Sequence, residues 1–157
     1  MLKNYLTKEE FELEWNVKLI SKKQSLWMRL TGWFITIFSP YFMIGMFTTY
    51  RLPFQKYGTI AHPDGLNPLK FPDVLEHELM HVEQQRTAWG LFKSALLYSL
   101  LPLPVFFSGR WFVEREPYLM DIRKGLFTPE QAADILWDHY AWCWPKSLMI
   151  KWFKEHK

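Results

Sequence analysis

The stretch Pro72-Asp73-Val74-Leu75-Glu76-His77-Glu78-Leu79-Met80-His81-Val82 decides how the rest of the chain is read. Leu75, Leu79 and Val82 recur at helical spacing, which predicts a helix with one face in a core. Proline suits the first helical turn, and Asp73 complements the positive end of the helix dipole. Gly90 is the expected stop, so the helix is assigned to 72–89. On such a helix His77 and His81 stand at i and i+4, one imidazole above the other, and can share one metal ion. Glu78 lies one residue round, within reach of a water at that metal. Neutral imidazole suits zinc, and a catalytic zinc needs three protein ligands and one solvent position. The pentapeptide therefore supplies two ligands and a candidate base, and a third ligand has to come from elsewhere.

Upstream, Thr7-Lys8-Glu9-Glu10 has the spacing of a capping box, which predicts a short helix running towards Trp15, in a peripheral N-terminal helical element assigned to 1–26. From Leu30 to Tyr50 no side chain is charged, a run long enough to span a membrane on length alone. Gly32, Pro40 and Gly45 interrupt it, and its second half is rich in strand-formers, so the run reads as a buried helix followed by a strand. The alternative is a segment lying in or on a membrane, anchored by Trp27 and Trp33. Thr59-Ile60-Ala61-His62 reads as a short strand ended by Pro63-Asp64-Gly65, so a small β region is placed at 41–62. His62 is a further candidate ligand or transition-state donor.

Downstream, a second apolar run from Leu91 to Phe107 is broken by Pro102 and Pro104 and reads as a helix to Leu101 with a kinked connection. Ser108 is a candidate cap for a helix over 108–122 that carries Glu114 and Glu116. Residues two apart on a helix point about 200° apart, so only one of these carboxylates can face a given metal. Thr128-Pro129-Glu130-Gln131 predicts another helix start, and 128–155 is assigned to C-terminal helices. The first carries His139 and Tyr140, candidates for donating a hydrogen bond to a developing oxyanion. In the last, Ile150, Trp152 and Phe153 oppose Lys146, Lys151 and Lys154, a pattern for packing on a core or touching an anionic membrane surface.

The chain of 157 residues suits one domain with an interior large enough to fold unaided. Its one cysteine, Cys143, excludes an internal disulfide and any cysteine-rich zinc ribbon, which leaves histidine and carboxylate as metal ligands. The formal charge of +3 is small and its basic residues are scattered, so nucleic acid is not an expected partner. Aromatic residues make up 18% of the chain, which fits either a bulky core or a surface that meets lipid. Residues Met1 to Glu14 have no apolar core and no cleavage site, so no signal peptide is expected. The localisation that follows is cytoplasmic, with membrane association as the variant.

Leu75 to Gln85, with its H-E-L-x-H-V-x-Q-Q pattern, resembles the metal helix of zincin-like metallopeptidases found in bacteria and phages. Glu114-Arg115-Glu116-Pro117-Tyr118 is similar to the E-R-E-A-Y segment of related chains and, more distantly, to the E-x-x-A-D segment of gluzincins. The resemblance covers residues 47 to 121. It implies an α+β fold, a mostly helical zincin-like domain with a small sheet or hairpin before the metal helix. It also implies Zn2+ held by His77, His81 and Glu114, with Glu116 as the alternative ligand and Glu78 as the catalytic base. The expected activity is hydrolysis of a peptide or protein substrate by a zinc-activated water. A catalytically silent zincin-like binding protein and a membrane-associated metalloprotease are the alternatives. Tyr118 occupies the position of the gluzincin aspartate that orients a ligand histidine, so that role passes to Asp121, Asp73 or a backbone carbonyl.

Overall fold

A computed structural model of the chain describes residues 7–38, 47–52, 54–87, 89–90, 92–93, 109–139 and 144–157. They contain six α-helices and one three-stranded sheet, an α+β and mostly helical fold as expected. The helices are α1 (Lys8–Trp15), α2 (Leu26–Phe38), α3 (Pro72–Gln84), α4 (Arg110–Arg123), α5 (Pro129–His139) and α6 (Lys146–His156). The strands are β1 (Val17–Ser21), β2 (Thr48–Tyr50) and β3 (Gly58–His62). The chain divides into two compact units, 1–91 and 92–157, which are taken in turn.

In the first unit Thr7 and Glu10 form the expected capping box on α1. The helix ends at Trp15, as the sequence predicts. Asn16 adopts a left-handed conformation at φ 50°, its N–H closes on the Glu12 carbonyl, and its side-chain amide donates to the Lys56 carbonyl at 3.0 Å. The chain leaves this turn as β1, which pairs in parallel with β3 from Val17↔Gly58 to Ser21↔His62. This strand is a correction to the peripheral helical element. Its stability comes from a partner some forty residues away, and Phe11 of α1 is itself fully buried.

β3 is the central strand, with β2 antiparallel on its other side in the register Thr49↔Ile60. Paired residues present their side chains on the same face of a sheet. Leu19, Ile60 and Thr49 therefore form one row. Leu19 and Ile60 join Phe11, Val17, Leu75, Leu79 and Val82 in one core cluster, so this face packs against α1 and α3. Ile20, Ala61 and Tyr50 face the other way and gather with Met28 of α2. Gly58 allows the close approach of β3 to α3, because a Cβ there would lie 2.8 Å from a methyl carbon of Val82.

The predicted start and core stripe of α3 are present, with Leu75, Leu79 and Val82 all buried. Its end is not at Gly90. The helix stops at Gln84, and Arg51 supplies the termination by donating from Nη1 to the carbonyls of Gln85 (2.9 Å) and Arg86 (2.7 Å). A guanidinium there satisfies open carbonyls and complements the negative end of the dipole.

The first turns of α2 are partly exposed, and the side chains of 33–38 lie outside the described residues. Met28 is in the core, but Leu26, Trp27 and Leu30 are 68%, 46% and 67% exposed. Among the described residues no helix is long and apolar enough to cross a membrane. Residues 39–46 of the first apolar run, and nearly all of the second, lie outside the described residues.

In the second unit α4 begins after Gly109, with Ser108 outside the described residues. It runs on through Pro117, and it ends in a Schellman turn, where Gly125 at φ 79° lets Leu126 N–H reach the Asp121 carbonyl at 3.0 Å. The α5 cap at Thr128 and Gln131 is formed as the sequence predicts. Met149 and Phe153 of α6 are fully buried, so the apolar face of this helix packs into the core of its unit, where Phe153 meets the ring of Trp111.

Candidate metal centre

His77 and His81 stand one turn apart on α3, their ring centroids 5.3 Å from each other in an edge-to-face arrangement. His81 is buried and His77 half-buried. Nδ1 of His81 donates to Oε1 of Gln84 at 3.0 Å, which fixes the tautomer and leaves Nε2 with its lone pair. A partner for a ligand histidine was expected at Asp121, Asp73 or a backbone carbonyl. Gln84, the first glutamine of the Q-Q pair, supplies one from the same helix. Asp73 stays exposed in the first turn of α3.

Glu114 sits on the buried side of α4, 4% exposed at its side chain, with Arg110 one turn earlier at 3.9 Å. His77, His81 and Glu114 each offer one ligand atom, and these atoms all lie within 4.8 Å of one another. Two imidazoles and one carboxylate form a donor set that suits a borderline divalent cation, and the group could hold a metal ion. Glu116 is not in the group. Two residues further along the helix, its side chain is 46% exposed and lies 3.6 Å from Nε of Arg115.

Glu78 is buried beside this group, and its surroundings were not foreseen. Thr49 of β2, placed in the row that faces α3, donates its hydroxyl to Oε2 of Glu78 at 2.7 Å. Lys22, in the turn after β1, is completely buried, and its own backbone N–H donates to the His62 carbonyl at 2.9 Å. Burial pushes the Lys22 ammonium down from its ordinary 10.5 to about 8, against the opposing pull of the Glu78 carboxylate. In sequence Lys22 looked like one of many scattered bases, and Thr49 like one strand-former among several.

The other candidates separate. His62 ends β3, half-buried, with Nδ1 against the Pro63 carbonyl at 2.9 Å. Tyr118 is buried with its ring 6.2 Å from that of Phe127, and Asp121 is buried on α4. None of these three belongs to the group of candidate ligands. His139 is the last residue of α5, and its side chain and all of Tyr140 lie outside the described residues. Comparison with family models, curated proteins and solved structures gives no match to this chain.

Proposed function

We propose that this chain is a zinc-dependent metallopeptidase. The observation that carries the reading is the convergence of His77, His81 and Glu114 within 4.8 Å, with Glu78 next to the first histidine on the same helix. Zinc in this group would act as a Lewis acid and lower the pKa of a bound water to about 7. The residues of the chain do the rest. His77, His81 and Glu114 would hold the ion, three protein ligands being the number that suits a catalytic site. Gln84 keeps His81 in the tautomer that binds. Glu78 takes the proton of the attacking water and delivers it to the leaving amine, the two halves of general base and general acid catalysis by one carboxylate.

The reading is tested by measuring zinc in the wild type and in His81→Ala and Glu78→Gln, each offered a library of peptides. The expected result is one zinc per wild-type chain, loss of zinc in His81→Ala, and retained zinc without cleavage in Glu78→Gln. A wild type purified without chelators and free of zinc would sink the metal centre. Bound zinc with no cleavage across the library would instead support a zincin-like binding protein.

A further inference from the structure

We propose that Thr49 is a positioning residue for Glu78, a strand-borne clamp that fixes the orientation of the carboxylate before any substrate arrives. The proposal rests on the reading of Glu78 as the base and adds a residue that neither the motif nor the resemblance includes.

The sheet register sets up the clamp. Thr49 pairs with Ile60, which pairs with Leu19, so its side chain must leave the sheet on the face that packs against α3. It meets Glu78, whose Oε2 accepts its hydroxyl at 2.7 Å, with the Glu78 backbone carbonyl at 3.2 Å as the longer contact of the same oxygen. The one hydroxyl proton goes to the nearer, charged acceptor. With Oε2 engaged, Oε1 is the oxygen that remains to take a proton from water.

Lys22, buried in the turn after β1, feels the field of the same carboxylate, and its burial outweighs that field. The hydrogen bond that aims Glu78 comes from Thr49 on β2, while α3 carries the base.

The test has a metal-free arm and a zinc-loaded arm. In the metal-free protein, urea unfolding is measured for wild type, Thr49→Val, Glu78→Gln and the double variant. The two losses should fall short of additivity by about tenfold in the unfolding constant, the scale of a hydrogen bond to a charged acceptor. In the zinc-loaded protein the probe is acetohydroxamate, a zinc chelator whose proton needs a nearby base. Thr49→Val should bind it about tenfold more weakly at unchanged zinc content, Glu78→Gln should set the floor, and Thr49→Ser should restore most of the loss. Thr49→Ala stands in if the valine variant fails to fold, because it removes the same hydroxyl.

Additive unfolding losses would overturn the clamp. So would full hydroxamate affinity in Thr49→Val while Glu78→Gln is weak, which would leave Glu78 as an unassisted base. A zinc-free wild type with the coupling intact would overturn the metal reading and the positioning role together, leaving a structural network only.

Discussion

Glu78 and Glu114 are both buried glutamates on helices, yet they are held in different ways. Glu78 is gripped from far along the chain, by Thr49 of β2 and by the charge of Lys22 after β1. The ion pair of Glu114 is to Arg110, one turn away on the same helix, and its carboxylate belongs to the group of ligand atoms with His77 and His81. A base has to be aimed and charged before it meets water, which calls for groups that surround it. A ligand has to be brought within reach of the other donors. The difference predicts that the two glutamates fail differently when altered.

The largest effect is expected on zinc affinity. Glu114→Gln should weaken it more than about 100-fold, because even outer partners of ligands are worth roughly 10–100-fold. Glu116→Gln should leave it within about twofold, since the charge it removes is half exposed and screened. Competition with a zinc indicator measures both. Equal losses would erase the distinction between the two faces of α4 and reopen Glu116 as a ligand.

How much of this was legible follows the same division. The two-histidine spacing, the start and core stripe of α3, and the caps at Thr7 and Thr128 are local patterns, and each is present. Glu114 was reached through a resemblance. β1 was missed because five residues of alternating burial gain their stability from β3, far along the chain, and no local signal separates them from the end of a helix. Lys22, Thr49 and Arg51 were missed for the same reason. Each acts on α3 from a distant position, and only the register of the sheet shows where it points. Gly90 misled for the converse reason. A side chain from elsewhere stops α3 before the glycine is reached.

The next effect sharpens the electrostatic side of the comparison. Folded Lys22 releases its proton at about pH 8, whereas the unfolded chain holds it up to about 10.5. Between these values the unfolded state binds more protons, so stability rises with pH, and below pH 8 the penalty is fully present. The separation corresponds to about 3 kcal/mol. Lys22→Met removes the penalty, so its stability relative to wild type should be highest below pH 8 and decline by up to about 3 kcal/mol towards pH 10.5. Urea unfolding across that range checks it. A difference that is flat with pH would mean that Lys22 is not buried in solution, and Glu78 would then be supported by Thr49 alone.

The smallest effect asks whether the support of Glu78 comes from the sheet or from the helix end. Arg51 follows β2 directly and caps the carbonyls of Gln85 and Arg86, while Thr49 of the same strand holds the side chain two turns earlier on α3. Arg51→Met should cost about 1–2 kcal/mol by leaving those carbonyls to water and removing a cation from the negative end of the dipole. Hydrogen exchange should quicken in the last turn of α3. The coupling between Thr49 and Glu78 should survive, because the pairing Thr49↔Ile60 fixes the hydroxyl independently of the cap. If the coupling collapses with the cap, the base is aimed by the position of the whole helix, and the contrast between Glu78 and Glu114 reduces to which helix each one rides on.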